Sequence, residues 1–238
     1  MRIDADEWGL DRASAVVSLI MSLIPSTTPS ATLPASLGEQ FGPIDIYLFD
    51  QILRGRILPG MRIFDAGCGG GRNLVYLLRE GYEVLAVDAD PYAIDAVRTL
   101  AAQVAPKPLP ASNFRVESLE QLSFKDACAD VVISSAVLHF AADDSQFNAM
   151  LHETWRVLKA GGMLFCRLAS SIGIERRVTP LTGRRHLLPD GSERYLVDEA
   201  LLLQLTAELG GQLIDPIKTT VVQDQRSMTT WVIRKRQV

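Results

Sequence analysis

Short apolar runs alternate with helical patterns along the chain from Met61 onward. The runs that read as strands are residues 62–65, 83–88, 113–117, 130–134 and 163–168. Between most of these runs, apolar residues recur at the spacing of a helix. Continuous apolar strands separated by helices are typical of a parallel sheet that is covered on both faces. The pattern therefore predicts a doubly wound α/β fold whose ligand crevice lies at the carboxyl ends of the strands.

The C-terminal tail departs from this alternation. A predicted helix at residues 198–209 is followed by two strand-like runs, 212–222 and 228–236, with only a short polar turn between them. Strands joined by so short a turn form a hairpin, so the last strand should run antiparallel to its neighbour. The sequence thus predicts a seven-stranded, mostly parallel sheet that ends in an antiparallel hairpin.

Two segments lie outside the alternating core. Residues 1–40 combine a predicted helix at 11–24 with a stretch rich in Pro and Ser, and we interpret them as a helical lid segment ahead of one domain at 41–238. A homodimer contact and simple packing are the alternatives for the lid segment. Residues 170–197 are interpreted as a cover segment, in which Asp190-Gly191 predicts a hairpin turn.

The cover segment also carries a group of basic side chains. These are Arg176, Arg177, Arg184 and Arg185. They could hold an anionic substrate through bidentate contacts, or they could be solvated and engaged in ordinary ion pairs.

Composition restricts the classes of function. The chain has 238 residues, of which 47% are hydrophobic and 22% charged, as is usual for a folded globular protein. A formal net charge of −4 argues against nucleic acid as the main partner, because phosphate binding needs clustered Lys and Arg. The Cys and His residues are scattered without metal-ligand spacing. The longest apolar stretch, residues 13–24, is too short to span a bilayer. We therefore expect a cytoplasmic protein with no metal and no membrane segment.

The strongest chemical signal is a glycine loop, residues 67–71, between the first strand and the first helix. Glycines there allow backbone to approach a ligand closely, and the following helix presents free N–H groups. A dinucleotide fingerprint needs a further glycine where this chain has Arg72, so the loop does not match a pyrophosphate binder. Asp88, at the end of the second strand, could accept both ribose hydroxyls of an adenosine ligand.

With the loop and Asp88, two later segments complete a set that resembles the class I S-adenosylmethionine-dependent methyltransferases. In chain order the four segments are Phe64-Asp65-Ala66-Gly67-Cys68-Gly69-Gly70-Gly71, Val87-Asp88-Ala89-Asp90-Pro91, Asp130-Val131-Val132-Ile133-Ser134-Ser135-Ala136-Val137-Leu138-His139 and Arg156-Val157-Leu158-Lys159-Ala160-Gly161-Gly162. The terminal hairpin also matches that family. Gly71-Arg72-Asn73 is similar to the tellurite-resistance branch within it.

The resemblance implies a cofactor, S-adenosylmethionine, with S-adenosylhomocysteine as product. Asp65 and the loop backbone would face its methionine portion, Asp88 its ribose, Ala89 its adenine and Glu117 the adenine amino group. Ser134 and Ser135 would lie near the reacting methyl group. The full set of cofactor-binding residues predicted in this way is Asp65, Gly67, Cys68, Gly69, Gly71, Asn73, Asp88, Ala89, Glu117, Ser118, Leu119, Ser134 and Ser135.

The implied reaction is in-line methyl transfer to a small-molecule acceptor, which depends mainly on positioning. A general base is needed only where the acceptor must lose a proton. His139, five residues past Ser134, is the candidate base, and a structural histidine packed beside Phe140 is the alternative. Two other functions remain open: a nucleotide-dependent oxidoreductase, and a cofactor-binding protein without catalysis.

Overall fold

The computed structural model describes residues 36–237. The helix predicted at residues 11–24 lies outside the described residues, as does nearly all of the lid segment. The α-helices are α1 (Leu37–Phe41), α2 (Ile46–Leu53), α3 (Val75–Arg79), α4 (Pro91–Val104), α5 (Asp144–Val157) and α6 (Glu199–Glu208). The strands are β1 (Arg62–Ala66), β2 (Glu83–Asp88), β3 (Phe114–Val116), β4 (Ala129–Ser135), β5 (Leu158–Ala169), β6 (Thr179–Thr182), β7 (Arg185–Leu187), β8 (Glu193–Tyr195), β9 (Gly211–Leu213), β10 (Lys218–Val222) and β11 (Arg226–Lys235).

The main sheet has the order β10-β11-β5-β4-β1-β2-β3, with β9 also paired to β11. Strands β1 to β5 are parallel, and β1 lies between β2 and β4. β11 runs antiparallel to both β5 and β10. The doubly wound α/β prediction with a terminal antiparallel hairpin is therefore confirmed.

The outer edge of β11 is divided between two short strands. The sequence predicted one strand at residues 212–222, but β9 and β10 occupy it separately, so the sheet has eight strands instead of seven. Pro216 lies in the break, where it has no N–H to donate to a ladder. Beside it, the buried Asp215 carboxylate binds Arg56 at 2.9 Å and Gln51 at 2.9 Å, which joins the break to the region of α2.

The central strands are buried on both faces. Ile63 and Phe64 are consecutive on β1, both are 0% exposed, and they belong to separate apolar clusters on opposite sides of the sheet. The cluster around Phe64 includes Phe147 of α5 and Trp231 of β11, whereas that around Ile63 includes Ile94 of α4. This double burial is why the strands read as continuous apolar runs.

The cover segment contains a small antiparallel sheet of β6, β7 and β8. The predicted hairpin at Asp190-Gly191 joins β7 to β8, as expected. β6 was not predicted, because Thr179-Pro180-Leu181-Thr182 is exposed and contains a proline. Under this sheet, Leu188 and Leu196 pack with Ala169.

No helix within residues 36–237 has both the length and the apolar character needed to cross a bilayer.

Gly162 lies where pairing between β4 and β5 is interrupted by a bulge. A Cβ atom on Gly162 would lie 2.6 Å from Leu158 Cδ1 and 2.8 Å from the carbonyl oxygen of Asp130. We expect Gly162→Ala to lower the free energy of unfolding by about 1–3 kcal/mol, because the backbone must shift to make room. Urea denaturation of the variant measures this change.

Gly70→Ala is the matched control, since a Cβ atom there would meet no other atom within 4 Å. It should change the free energy of unfolding by less than about 0.5 kcal/mol. Equal stability of the two variants would contradict the assigned contacts of Gly162.

Candidate active site

A cavity of about 490 Å³ opens at the carboxyl ends of the strands, beside β1 and the neighbouring β2 and β4. Crevices at this position of doubly wound sheets are the usual ligand sites. The predicted cofactor-binding residues that line this first cavity are Gly67, Cys68, Gly69, Asn73, Asp88, Ala89, Glu117, Ser118, Leu119 and Ser135. Asp65, Gly71 and Ser134 do not line it.

The glycines of the loop have two different environments. A Cβ atom on Gly67 would lie 2.6 Å from Val137, and one on Gly71 would lie 3.0 Å from Leu100 of α4, so both positions are closed by packing. Gly69 and Gly70 face open space, with no atom within 4 Å of such a Cβ. The backbone of Gly69 and Gly70 therefore forms the exposed wall of the first cavity.

Asp88 joins the glycine loop to β2. Its Oδ2 accepts a hydrogen bond from the Gly69 N–H at 2.8 Å, and its Oδ1 accepts one from the Asp90 N–H at 3.0 Å. The side chain is half-buried and lines the first cavity. Because each carboxylate oxygen can accept more than one hydrogen bond, Asp88 keeps the capacity to bind hydroxyl groups of a ligand.

The segment after β3 forms the opposite wall. Glu117 lines the first cavity, but its Oε2 accepts a hydrogen bond from the Ser123 N–H at 2.9 Å and its Oε1 contacts the Ser123 hydroxyl. Glu120 contacts both Ser118 and Gln146, and these hydrogen bonds lower the pKa of Glu120. The wall is thus held by its own polar contacts.

Asp65 lies beneath the glycine loop, 1% exposed, and its Oδ2 has no hydrogen-bond partner among the described residues. Burial raises the pKa of Asp65 to about 7; the nearby Arg72 opposes this rise and Asp88 adds to it. Burial, with a contribution from Asp65, also raises the pKa of the Cys68 thiol, so Cys68 remains protonated at neutral pH. Asp65 is therefore a carboxyl group whose negative charge is poorly compensated by the protein.

A buried carboxylate that the sequence analysis did not identify links the two sides of the crevice. Asp45, the N-cap of α2, is 4% exposed, and its Oδ2 lies 3.1 Å from Nη1 of Arg167 and 3.7 Å from Nη2 of Arg72. Asn73 Oδ1 accepts a hydrogen bond from the Asp45 N–H at 3.0 Å. Asp45 therefore positions the first residues after the glycine loop. No motif in the sequence marks Asp45, because its ion pairs with Arg72 and Arg167 form only through the tertiary fold.

A second cavity, of about 310 Å³, adjoins the first, because Arg72 and Ala136 line both. Its lining consists of Arg72, Ala136, His139, Arg167, Ala169, Leu188, Asp190, Ser192, Arg194, Val222, Arg226, Ser227 and Met228. Ala136 adopts a left-handed φ of 65°, a conformation that costs energy for a residue with a Cβ and that is concentrated at functional sites.

His139, the predicted base, lies in the second cavity and not in the first. It is 4% exposed, and its Nδ1 accepts a hydrogen bond from the Ala169 N–H at 3.1 Å. Burial, together with Arg194 and Arg167, lowers the pKa of His139 to about 4, so the ring is neutral at pH 7. Its ring also contacts that of Phe140, with centroids 4.6 Å apart, as the packing alternative proposed.

None of the four arginines predicted to hold an anionic substrate, Arg176, Arg177, Arg184 and Arg185, lines either cavity. Arg177 pairs with Asp224, Arg184 with Asp198, and Arg185 with Glu193. Among residues 36–237, no group of Cys, His, Asp and Glu is arranged to hold a metal ion.

Residues 64–166 match a family model described as a methyltransferase domain. A similar curated protein is the malonyl-[acyl-carrier protein] O-methyltransferase of Serratia marcescens, which is 33% identical over 113 residues, or 47% of this chain and 40% of that protein. The chain spans about half the length, or less, of three curated relatives that it matches.

Solved methyltransferases have the same fold. A S-adenosylmethionine-dependent methyltransferase from Methanosarcina mazei superposes with a TM-score of 0.66 at 22% identity, covering 79% of this chain and 98% of that one. The 1,6-didemethyltoxoflavin-N1-methyltransferase of Burkholderia thailandensis, solved with 1,6-didemethyltoxoflavin and S-adenosylhomocysteine, gives a TM-score of 0.60 at 18% identity, covering 99% and 94%. These likenesses confirm the Rossmann-like methyltransferase fold.

The raised pKa of Asp65 should make the stability of the protein depend on pH. Below about pH 4 the carboxyl is protonated in both the folded and unfolded states, so its ionisation does not lower the free energy of unfolding. Between about pH 4 and 7 only the unfolded state ionises, and the free energy of unfolding falls as pH rises. Asp65→Asn removes this loss, so at pH 8 we expect it to stabilise the ligand-free protein by on the order of 1–4 kcal/mol.

Urea denaturation of Asp65→Asn at pH 8, 6 and 4.5 tests this expectation, and the advantage of the variant should shrink toward the lowest pH. Asp95→Asn is the control, because Asp95 is an exposed residue of α4. A stability difference that does not change with pH would contradict the assigned ionisation of Asp65.

Proposed function

We propose that this chain, which carries a methyltransferase domain of the class I fold, transfers a methyl group from S-adenosylmethionine to a small-molecule acceptor. S-Adenosylhomocysteine is the second product. One observation carries the proposal: within a chain that matches the methyltransferase domain, the glycine loop and the Asp88 carboxylate line one cavity, and that cavity adjoins a second.

The residues of the first cavity suit this cofactor. The open backbone at Gly69 and Gly70 leaves room for a ligand where a side chain would intrude. Asp88 offers carboxylate oxygens to ribose hydroxyls, and Ala89 and Leu119 offer apolar surface to adenine. The volume of about 490 Å³ falls in the range usual for sites that enclose a cofactor.

Asp65 supplies a negative charge that can balance the positive charges of the cofactor. S-Adenosylmethionine carries an ammonium and a sulfonium, and a poorly compensated carboxylate beneath the loop favours positive charge nearby. Ser135, at the end of β4, lines the first cavity next to Ala136, which lines both cavities. We assign this side to the methionine portion and the segment from Glu117 to Leu119 to the adenine.

When bound, S-adenosylmethionine would supply an electrophilic methyl group on a good leaving group. The chain then has to hold the acceptor atom in line with the methyl group and the sulfur. Such positioning can lower the activation free energy by about 7–11 kcal/mol. Asp88 and the loop backbone orient the cofactor, whereas Leu119, Val137 and Met150 form apolar walls that exclude water. We propose that the cover segment closes over the crevice. The lid role of residues 1–40 stays a prediction.

The acceptor atom decides whether a base is required. The relative from Serratia marcescens is named as an O-methyltransferase and the structure from Burkholderia thailandensis as an N-methyltransferase, so both atoms remain open for this chain. The base role of His139 stays a prediction. The tellurite-resistance likeness, the cytoplasmic location and the homodimer also stay predictions.

The cofactor assignment is tested by calorimetric titration of the protein with S-adenosylmethionine, S-adenosylhomocysteine and NAD. We expect the first two to bind and NAD to fail, which would separate a methyltransferase from a nucleotide-dependent oxidoreductase. Asp88→Ala should weaken cofactor binding by about 1.5–3 kcal/mol, because hydrogen bonds to a charged group are lost. Asp95→Ala, also an acidic residue but in exposed α4, should bind normally. Unchanged affinity in a folded Asp88→Ala variant would remove Asp88 from the site.

Turnover is tested separately, since binding alone does not establish catalysis. The protein is incubated with S-adenosylmethionine carrying a labelled methyl group and with a panel of small-molecule hydroxyl, amine and thiol acceptors. We expect acceptor-dependent formation of S-adenosylhomocysteine and of a labelled product, both reduced in Asp88→Ala when the cofactor concentration is below saturation. Tight cofactor binding without product from any acceptor would favour a binding protein that has no catalysis.

A further inference from the structure

We propose that the second cavity binds an anionic group of the methyl acceptor, a carboxylate or a phosphate, through Arg194 and Arg226. The proposal rests on the proposed function, because it assigns the substrate class of that same site. Two observations support it: the wall of the cavity is positively charged, and Arg194 and Arg226 form no ion pair with a carboxylate among the described residues.

Positive charge is concentrated in this cavity, although the whole chain has a formal net charge of −4. Among the residues that the structure describes, arginine contributes four lining side chains, Arg72, Arg167, Arg194 and Arg226, and Asp190 is the only acidic one. Asp45 pairs with Arg72 and Arg167, which offsets part of their charge. Within the described part of the chain, Asp190 is the carboxylate that shares this wall with Arg194 and Arg226.

The remaining two arginines differ from three other arginines of the cover segment. Arg177, Arg184 and Arg185 each pair with a carboxylate outside the cavities. Within residues 36–237, neither Arg194 nor Arg226 forms an ion pair with Asp190 or with any other carboxylate. Asp190 directs its Oδ1 to the N–H and hydroxyl of Ser192 instead.

Arg194 is also held in place before any ligand arrives. Its guanidinium lies over the Phe140 ring, 4.8 Å from the centroid, and its Nη1 donates to the Glu193 carbonyl at 2.7 Å. Phe140 itself lines the first cavity. A planar guanidinium fixed in this way loses less entropy when it forms paired hydrogen bonds with a carboxylate or phosphate.

The position of the cavity suits an acceptor. It meets the first cavity at Arg72 and Ala136, beside Ser135, which is the side assigned above to the reacting methyl group. A molecule anchored by its anionic group at Arg194 and Arg226 could therefore extend its acceptor atom toward the cofactor. A volume of about 310 Å³ limits the occupant to a small molecule.

His139 adds a neutral donor to the same wall. Because its Nδ1 accepts the Ala169 N–H, the neutral ring carries its proton on Nε2. A ring in this tautomer donates a hydrogen bond, which suits an anionic or oxygen-rich ligand. The neighbouring Arg194 and Arg167 disfavour a second proton.

The test uses benzoate and inorganic phosphate as anionic probes and benzamide as the neutral match to benzoate. Binding to the full chain is measured by calorimetry in the presence of S-adenosylhomocysteine. We expect at least one anion to bind and benzamide to bind at least tenfold more weakly. Arg194→Gln and Arg226→Gln should each weaken anion binding about tenfold or more, the scale of a lost charge-assisted hydrogen bond. Preference for benzoate or for phosphate distinguishes a carboxylate from a phosphate.

Arg177→Gln is the control, since Arg177 is an exposed arginine of the cover segment outside the cavity wall. It should bind the anions as the unaltered protein does. In turnover assays, carboxylate- or phosphate-bearing acceptors should show a raised KM in Arg194→Gln, whereas their neutral esters should not.

Failure of this inference differs from failure of the proposed function. If S-adenosylhomocysteine does not bind the unaltered protein, the proposed function fails whatever the anions do. If it binds, three results would overturn the anion site: no anion binding, equal binding of benzamide and benzoate, or full anion affinity in the doubly substituted Arg194→Gln, Arg226→Gln protein.

Discussion

The position of β1 between β2 and β4 is the constraint on which the site depends. β1 is paired on both edges and buried on both faces, and it opens to the first cavity at its carboxyl end. The chain leaves that end through a tight turn in which the N–H groups of Gly67 and Cys68 both donate to the Val87 carbonyl, at 2.9 and 3.0 Å. The neighbouring strand thus holds the glycine loop, and the crevice opens above the same junction.

Two buried carboxylates at this junction have opposite environments. Asp45 is surrounded by donors: Arg167, Arg72, Ser135 and the Tyr47 N–H. Asp65 is desolvated and has an unpartnered oxygen. The first carboxylate holds the architecture together, whereas the second lowers the stability of the ligand-free protein and favours a cation beside it. A ligand site that is preorganised in this way is less stable than its surroundings would allow.

Sequence reasoning found the features that depend on local pattern. The alternating apolar runs located β1 to β5. The glycine loop and Asp88 were identified because the loop directly follows β1 and Asp88 is the last residue of β2. Asp45, Arg167 and Arg226 were missed because they come together only through the tertiary fold, from the start of α2, from β5 and from β11. Arg176, Arg177, Arg184 and Arg185 were expected near the crevice as a group, and Arg194 was not among them. Distinguishing Arg194, which lines a cavity, from Arg185, which pairs with Glu193, requires knowing the direction of each side chain on its strand.

The divided outer edge of β11 affects how copies of the protein can meet. Exposed edge strands invite backbone pairing with another chain, and long, flat edges are the most prone to aggregate. Here that edge is covered by β9 and β10, which have three and five residues, and the break between them is fixed by Asp215 and its basic partners. Within residues 36–237, these short strands leave no long, straight row of unpaired N–H and C=O groups on this side for an incoming strand. The terminal hairpin therefore protects this side of the sheet against intermolecular strand addition, so that the protein can keep a wide sheet without the polymerisation that such sheets risk.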